Sequence, residues 1–166
     1  MNATRNTLPT VVRKNAVRIL NDTVANLFDL YLYARIKQAH WNLRGRAFIG
    51  LHKLLGEFAT TVQEHVDAAA KRATVLGGVV EGKLRESVKN YHLKKKEEPA
   101  AKSGPRDWIR KLADIHAASG DHVRSTLKQV ADPDDCGTAE KLTDVLLDLD
   151  RQLRILEAHL DQKWLP

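Results

Sequence analysis

Apolar residues recur at steps of three and four along four long stretches of the chain, which is the spacing of one buried face on an α-helix. The first stretch runs from about residue 10, after Leu8-Pro9, to residue 43, and the second from about 47 to 76. The third runs from about 105 to 130, and the fourth follows residue 138. No alternating pattern typical of a strand competes with them, so the sequence predicts an all-α fold.

The phase of each stretch predicts which side chains form the core. Expected core positions include Val17, Leu20, Val24 and Leu27 in the first helix, Phe48, Leu51, Leu55, Phe58 and Val62 in the second, Trp108, Leu112, Ile115 and Ala118 in the third, and Leu142, Val145, Leu149 and Leu156 in the fourth. Gly45 and the pair Gly77-Gly78 are expected to end the first and second helices. Thr138 is expected to cap the fourth helix.

The central connection is much longer than the other two links. Residues from about 77 to 104 include Lys94-Lys95-Lys96, Pro99 and Gly104, which interrupt any helical pattern. A link of this length is typical of a crossover between the two helix pairs of a bundle. We therefore expect one four-helix domain over residues 10–162, a short flexible tail at 1–9 and a C-terminal tail at 163–166.

Composition narrows the class of protein. The single cysteine, Cys136, allows no intramolecular disulfide. No apolar run has the length of a membrane span or a secretory leader, so we expect a cytoplasmic protein with no membrane partner. The net charge of +6 leaves two interpretations open, a solvated basic surface or an acidic partner such as nucleic acid.

Histidine and aspartate residues that could ligate a metal lie on the first two predicted helices. His40 is near the end of the first helix, and His52 and Asp67 are on the second, with His65 beside Asp67. Fifteen residues of helix separate His52 from Asp67 by about 22 Å, so one chain cannot bring both to one ion. A two-fold partner with an antiparallel second helix could join them. Taken singly, such side chains are more often surface or core residues than metal ligands.

The pattern around these residues resembles the Dps (mini-ferritin) family. The resemblance is carried by His40-Trp41-Asn42, Arg44-Gly45, His52, His65-Val66-Asp67, Arg72-Ala73 and Leu76-Gly77-Gly78, and the helical layout agrees over roughly residues 10–162. It implies a ferritin-like four-helix bundle that assembles into a hollow homo-dodecamer. It further implies binding of iron, oxidation of Fe(II), storage of ferric iron and, in many members, non-specific binding of DNA, which would place the protein at the nucleoid.

The resemblance also implies an oxidation site shared by two subunits. Its ligand positions fall on His40, His52 and Gly56 of one subunit and on Asp67 and Lys71 of the other. Gly56 and Lys71 stand where the family usually has carboxylates. We interpret the protein as a ferroxidase with a degenerate site that retains His40, His52 and Asp67. The alternative is a non-enzymatic nucleoid-binding or structural shell in which a salt bridge replaces the metal.

Two further sets of residues follow from the same resemblance. Iron would enter through an acid-lined pore near the fourth helix, for which the candidates are Asp134, Asp135, Glu140, Asp144 and Asp148; a solvated acidic face is the alternative. DNA would contact basic residues, for which the candidates are Arg5, Lys94, Lys95, Lys96 and Lys102. The N-terminal tail has few basic residues, so the central connection is expected to contribute more than the tail.

Overall fold

Four helices form the framework of the described part of the chain. They are α1 (Thr10–Tyr31), α2 (Phe48–Val75), α3 (Pro105–Leu127) and α4 (Cys136–Leu160). This computed structural model describes residues 1–32, 39, 43–46, 48–80, 104–130 and 135–161. These residues include no strand, and the prediction of an all-α fold is confirmed. Most of the predicted crossover, and the stretch from 33 to 38 in which the first helix was expected to continue, lie outside the described residues.

The helices pack as two pairs. The most extensive contacts join α1 to α2 and α3 to α4, with smaller contacts from α1 to α3 and from α2 to α4. The main core lies between all four helices, and its fully buried side chains include Leu27, Leu55, Leu112 and Leu149. A second, smaller core lies between α1 and the end of α2, around Leu20 and Leu76. Of the helices in the described ranges, none is long and apolar enough to cross a membrane.

Three predictions of core position and capping were wrong. Ala118 is exposed, and the neighbouring Ser119 is fully buried instead. Thr138 is not the N-cap of α4; Asp135 is, because its Oδ1 accepts a hydrogen bond from the backbone N–H of Thr138 at 3.2 Å. Phe48 also differs from its expected core role, since 38% of it is exposed at the start of α2.

A glycine in the left-handed region joins the chain start to the end of α2. Gly77 has φ +82, and its carbonyl accepts a hydrogen bond from the backbone N–H of Asn2 at 2.6 Å. Arg13 of α1 donates to the carbonyls of Leu8 and Leu76 at 3.0 and 3.3 Å. The segment before α1 therefore lies against the end of α2, and a Cβ at position 77 would approach the carbonyl oxygen of Asn2 to 2.7 Å.

Gly77→Ala is expected to lower the free energy of unfolding by roughly 1–3 kcal/mol, because the side chain would be strained in the left-handed region. Thermal unfolding measures this loss. Gly50→Ala is the matched control: Gly50 lies in α2, nothing surrounds its Cβ position within 4 Å, and alanine favours helix over glycine. A similar loss in both variants would show that neither the positive φ nor the close approach of Asn2 at Gly77 is the cause.

The middle of the bundle contains a buried histidine. His116 is 1% exposed; its Nδ1 lies 2.8 Å from the carbonyl of Leu112, and its Nε2 lies 3.1 Å from Oε1 of Gln152. The ring also meets Phe58 edge-on at a centroid distance of 5.9 Å. Burial lowers the pKa of His116 and outweighs the two hydrogen bonds, which act to raise it. The folded protein thus favours the neutral ring.

The low pKa of His116 predicts a pH dependence of stability. In the unfolded chain a histidine takes up a proton near pH 6.5, whereas folded His116 resists it, so the free energy of unfolding should fall as the pH drops from about 7 to 5. His116→Gln should reduce this slope, measured by denaturant unfolding at several pH values. His159→Gln, which removes an exposed histidine of α4, should leave the slope as in wild type. Equal slopes in wild type and His116→Gln would contradict the assignment.

Candidate metal site at an exposed face of α2

One face of α2 presents the candidate ligands that lie in the described part of the chain. His52 is half-buried in the second turn, and its ring lies 5.2 Å from that of Phe48 between centroids. Gly56 is one turn further along, and its carbonyl accepts a hydrogen bond from Oγ1 of Thr60 at 3.1 Å. Asp67 is exposed near the other end of the same helix. His40 lies outside the described residues.

The helix is continuous from Phe48 to Val75, so the predicted separation of His52 and Asp67 holds within one subunit. At about 1.5 Å per residue they are some 22 Å apart along one axis. Consistently, the described residues contain no group of three histidine, cysteine or carboxylate side chains that could hold a metal ion. A metal site made from His52 and Asp67 requires a second copy of the chain.

Asp67 is paired with Lys71. Nζ of Lys71 lies 2.5 Å from Oδ2 of Asp67, one helical turn apart, and the two side chains are 75% and 60% exposed. Exposed pairs of this kind stabilise a helix by roughly 0.3–0.5 kcal/mol. The contact therefore contributes little to the stability of the fold. It does, however, place the positive charge of Lys71 beside the carboxylate that a metal cation would need as a ligand.

The candidate pore acid Asp148 is engaged by two basic side chains. Its Oδ2 lies 2.8 Å from Nε2 of His65 on α2, and its Oδ1 lies 3.1 Å from Nη2 of Arg151. Partial burial alone would raise the pKa of Asp148, but hydrogen bonds from His65 and Arg151 outweigh it and lower the pKa. Asp148 joins α2 to α4 and is charged at neutral pH.

The other described pore candidates also have basic partners. Nζ of Lys141 lies 3.2 Å from Asp144 and 3.6 Å from Glu140. The hydrogen bond and charge of Asp144, followed by the charge of Glu140, raise the pKa of Lys141. Asp135 is 1% exposed and pairs with Arg72 at 2.8 Å. Asp134 lies outside the described residues.

Sequence reasoning missed the basic partners of these acids. Lys141 lies three residues from Asp144 and Arg151 lies three residues from Asp148, so helical spacing could have revealed both pairs. Arg72 and Asp135 are 63 residues apart, and no local pattern predicts their meeting. Arg72 also donates to Oγ1 of Thr138 at 3.2 Å, which fixes the end of α2 to the start of α4.

Of the predicted DNA contacts, Arg5 lies among the described residues. Arg5 is exposed in the segment that lies against the end of α2. Lys94, Lys95, Lys96 and Lys102 lie outside the described residues.

Comparisons with known proteins decide the family. A family model described as a ferritin-like domain matches residues 17–163. The DNA protection during starvation protein of Agrobacterium fabrum is 34% identical over 160 residues, which cover 96% of each chain. The chain belongs to the Dps family of ferritin-like proteins. The resemblance seen in the sequence is thereby confirmed.

Solved Dps structures have the same fold. The archaeal Dps homologue of Halobacterium salinarum aligns with a TM-score of 0.86 at 25% identity, over 99% of this chain and 89% of that one. DpsC of Streptomyces coelicolor aligns with a TM-score of 0.88 at 23% identity, over 99% and 94%. The four-helix arrangement described above is therefore the ferritin-like arrangement of Dps proteins.

Proposed function

We propose that the chain forms a Dps-type shell that takes up Fe(II), oxidises it slowly at a degenerate site, stores ferric iron and protects DNA. Membership of the Dps family over almost the whole chain supports the general role. A Dps protein from Vibrio cholerae, similar in fold, is described as a member of a broad superfamily of ferritin-like diiron-carboxylate proteins. The contact of Lys71 with Asp67 is the observation that supports the proposal of a degenerate metal site.

The proposed site lies between two subunits. His52 of one subunit, with His40, would meet Asp67 of its partner across a two-fold axis, giving two imidazoles and one carboxylate. Such a set suits Fe(II) with open coordination positions. Because this site is incomplete in one chain, we propose a closed homo-oligomer, the dodecamer implied by the family. Light scattering that finds a stable monomer or dimer at physiological salt would contradict it.

Lys71 is the residue that opposes metal binding. For Fe(II) to reach Asp67, the ammonium group must leave the carboxylate or remain beside the metal. A unit charge about 5 Å from a divalent ion costs several kcal/mol at an effective dielectric near 20. Gly56 supplies no carboxylate to compensate. Weak binding and slow oxidation follow from these two positions.

The second candidate function is a non-enzymatic nucleoid-binding or structural shell. The Asp67–Lys71 contact favours it specifically, since the pair is complete without a metal. Crystals soaked in Fe(II) distinguish the two. Iron density near His52 and Asp67, together with optical detection of Fe(II) oxidation by oxygen or peroxide, would support the degenerate ferroxidase. An empty site and background oxidation with both oxidants would support the structural shell.

We further propose that iron enters along the acids of α4. Glu140 is 69% exposed and Asp144 is 47% exposed, and they share Lys141, so an entering cation would compete with one lysine for two carboxylates. We include Asp134 and Asp148 among the acids that would line this entry path. Asp135 would act by holding α4 in place, since it is buried against Arg72. These roles suit a cytoplasmic protein associated with the nucleoid.

DNA binding is expected to be independent of sequence and steeply salt-dependent, because it would rest on contacts to phosphates. Eight basic residues lie between Lys89 and Lys111, against three acids. Changing Lys94, Lys95 and Lys96 together to glutamate should weaken binding more than deletion of residues 1–9, as measured by gel shift at several salt concentrations. A larger loss from the deletion would assign DNA contact to the N-terminal segment and Arg5.

A further inference from the structure

Two polar side chains in the middle of the bundle have buried atoms without partners. Asn26 of α1 is 5% exposed and Ser119 of α3 is fully buried. Nδ2 and Oδ1 of Asn26 and Oγ of Ser119 are inaccessible to solvent and make no hydrogen bond within the described part of the chain. Neither residue belongs to the proposed metal site or to the acidic face of α4.

The register of the helices places these two side chains at one level. Nδ2 of Asn15 donates to the carbonyl of Gln129 at 3.1 Å, so the start of α1 meets the end of α3 and the helices run antiparallel. Asn26 is about 16 Å along α1 from Asn15, and Ser119 is about 15 Å back along α3 from Gln129. Both therefore lie near the same height on neighbouring helices, facing the core.

Two other buried hydroxyl groups, one on α1 and one on α3, have partners on their own helix. Oγ1 of Thr23 donates to the carbonyl of Ile19 at 3.0 Å, and Oγ1 of Thr126 donates to the carbonyl of Val123 at 2.9 Å. Ser119 makes no such contact. The unpaired atoms of Asn26 and Ser119 thus differ from the buried hydroxyls of Thr23 and Thr126, which have backbone partners.

A second polar layer lies one turn away on α3. His116 precedes Ser119 by three residues, so both side chains share a face of the helix. His116 contacts Gln152 of α4, whose Nε2 donates to the carbonyl of Phe58 on α2 at 3.5 Å. Polar groups from all four helices therefore occupy two successive levels at the centre of the bundle.

The unpaired polar atoms of Asn26 and Ser119 restrict the kind of molecule that can bind between them. An unpaired buried amide or hydroxyl destabilises the folded state, and a bound molecule with donors and acceptors can offset that loss. An apolar molecule would leave these groups unpaired. An ion would lose its hydration there, and His116 in the second layer is held towards its neutral form. A small neutral hydrogen-bonding molecule fits, and water is the one always present.

We propose that an internal water site lies between α1 and α3, where an ordered water bridges the Asn26 amide and the Ser119 hydroxyl. The water accepts from Nδ2 or donates to Oδ1 of Asn26 and completes the hydrogen bonding of Ser119. It connects the α1–α2 pair to the α3–α4 pair at the centre of each subunit, independently of whether iron is oxidised.

A crystal structure of the assembled wild-type protein, at a resolution that orders individual waters, tests the proposal directly. Density for a water within hydrogen-bond distance of both side chains is expected. In Ser119→Ala the water should lose a partner, and the melting temperature should fall by roughly 2–4 °C. A dry interior in which Asn26 bonds directly to Ser119 or to a backbone carbonyl would overturn the proposal.

A double-mutant cycle provides a second measurement. If a shared water couples the two side chains, the melting-temperature losses of Asn26→Ala and Ser119→Ala should not add in the double variant. Thr23→Val is the matched control, since it removes a buried hydroxyl that already has a backbone partner, and it should leave the water in place. Additive losses would show that the two groups are not linked by one molecule.

Discussion

The double variant Lys71→Glu, Gly56→Asp is expected to bind Fe(II) at least tenfold more tightly than wild-type protein and to oxidise it faster. Lys71→Glu changes the charge beside Asp67 by two units, and Gly56→Asp adds one carboxylate a turn after His52. Tenfold in affinity corresponds to about 1.4 kcal/mol, which is modest for three charge units at an effective dielectric near 20. Stopped-flow oxidation and iron titration measure both effects.

Two controls separate ligand chemistry from net charge. Lys71→Gln removes the ion pair with Asp67 without adding a carboxylate, so it should give only part of the gain. Lys14→Glu changes an exposed lysine of α1 by the same two charge units and should leave oxidation unchanged. If wild-type protein already holds two irons per site and oxidises them quickly, then Gly56 and Lys71 do not impair the site, and the proposal is wrong.

Arg72→Ala is expected to be the most destabilising single change on the surface of the bundle. It leaves the carboxylate of Asp135 buried at 1% exposure without its counter-charge, and removing one partner of such a pair costs roughly 3–5 kcal/mol. Oδ1 of Asp135 keeps its hydrogen bond from the backbone N–H of Thr138, which offsets only part of this loss, because Oδ2 makes no hydrogen bond within the described residues. Thermal unfolding should show a fall on the order of 10 °C.

Arg124→Ala is the matched control for this loss. Arg124 contacts Asp121 at 2.8 Å and Asp150 at 3.3 Å, but all three side chains are between 44% and 81% exposed. Its removal should cost no more than about 1 kcal/mol. Adding Asp135→Asn to Arg72→Ala should recover part of the stability by removing the buried charge. Equal losses from the two arginine variants would contradict the role assigned to burial.

The sequence predicted the helices because their determinants are local. The apolar repeat fixes which stretches are helical, and the glycines at 45 and 77 have the positive φ values expected at helix ends. The errors arose where polar residues occupy the core. A stripe counted by apolar residues selects Ala118, but the buried positions on either side of it on α3 include the polar residues His116 and Ser119, which that rule passes over.

The candidate site could be predicted only in part. Family resemblance supplied His52 and Asp67, and the spacing of four residues predicted that Lys71 could reach Asp67. The acids of α4 could be named from the sequence. Their ion pairs could not all be predicted, because contacts such as that of Asp148 with His65 join different helices. The N-cap was assigned to the wrong member of a loop with several capping residues, since Asp135 and Thr138 are both suited to that position.

The contact between Asp67 and Lys71 has a consequence for how such a site can change over generations. Both side chains belong to one exposed turn of α2, so replacing Lys71 disturbs neither the core nor the ends of the helix. If the proposed metal site is correct, a metal ligand and a basic residue can be exchanged at this position with almost no change in the folding of the subunit. The proposed iron chemistry can then be lost or regained at one turn of α2 while the four-helix fold stays the same.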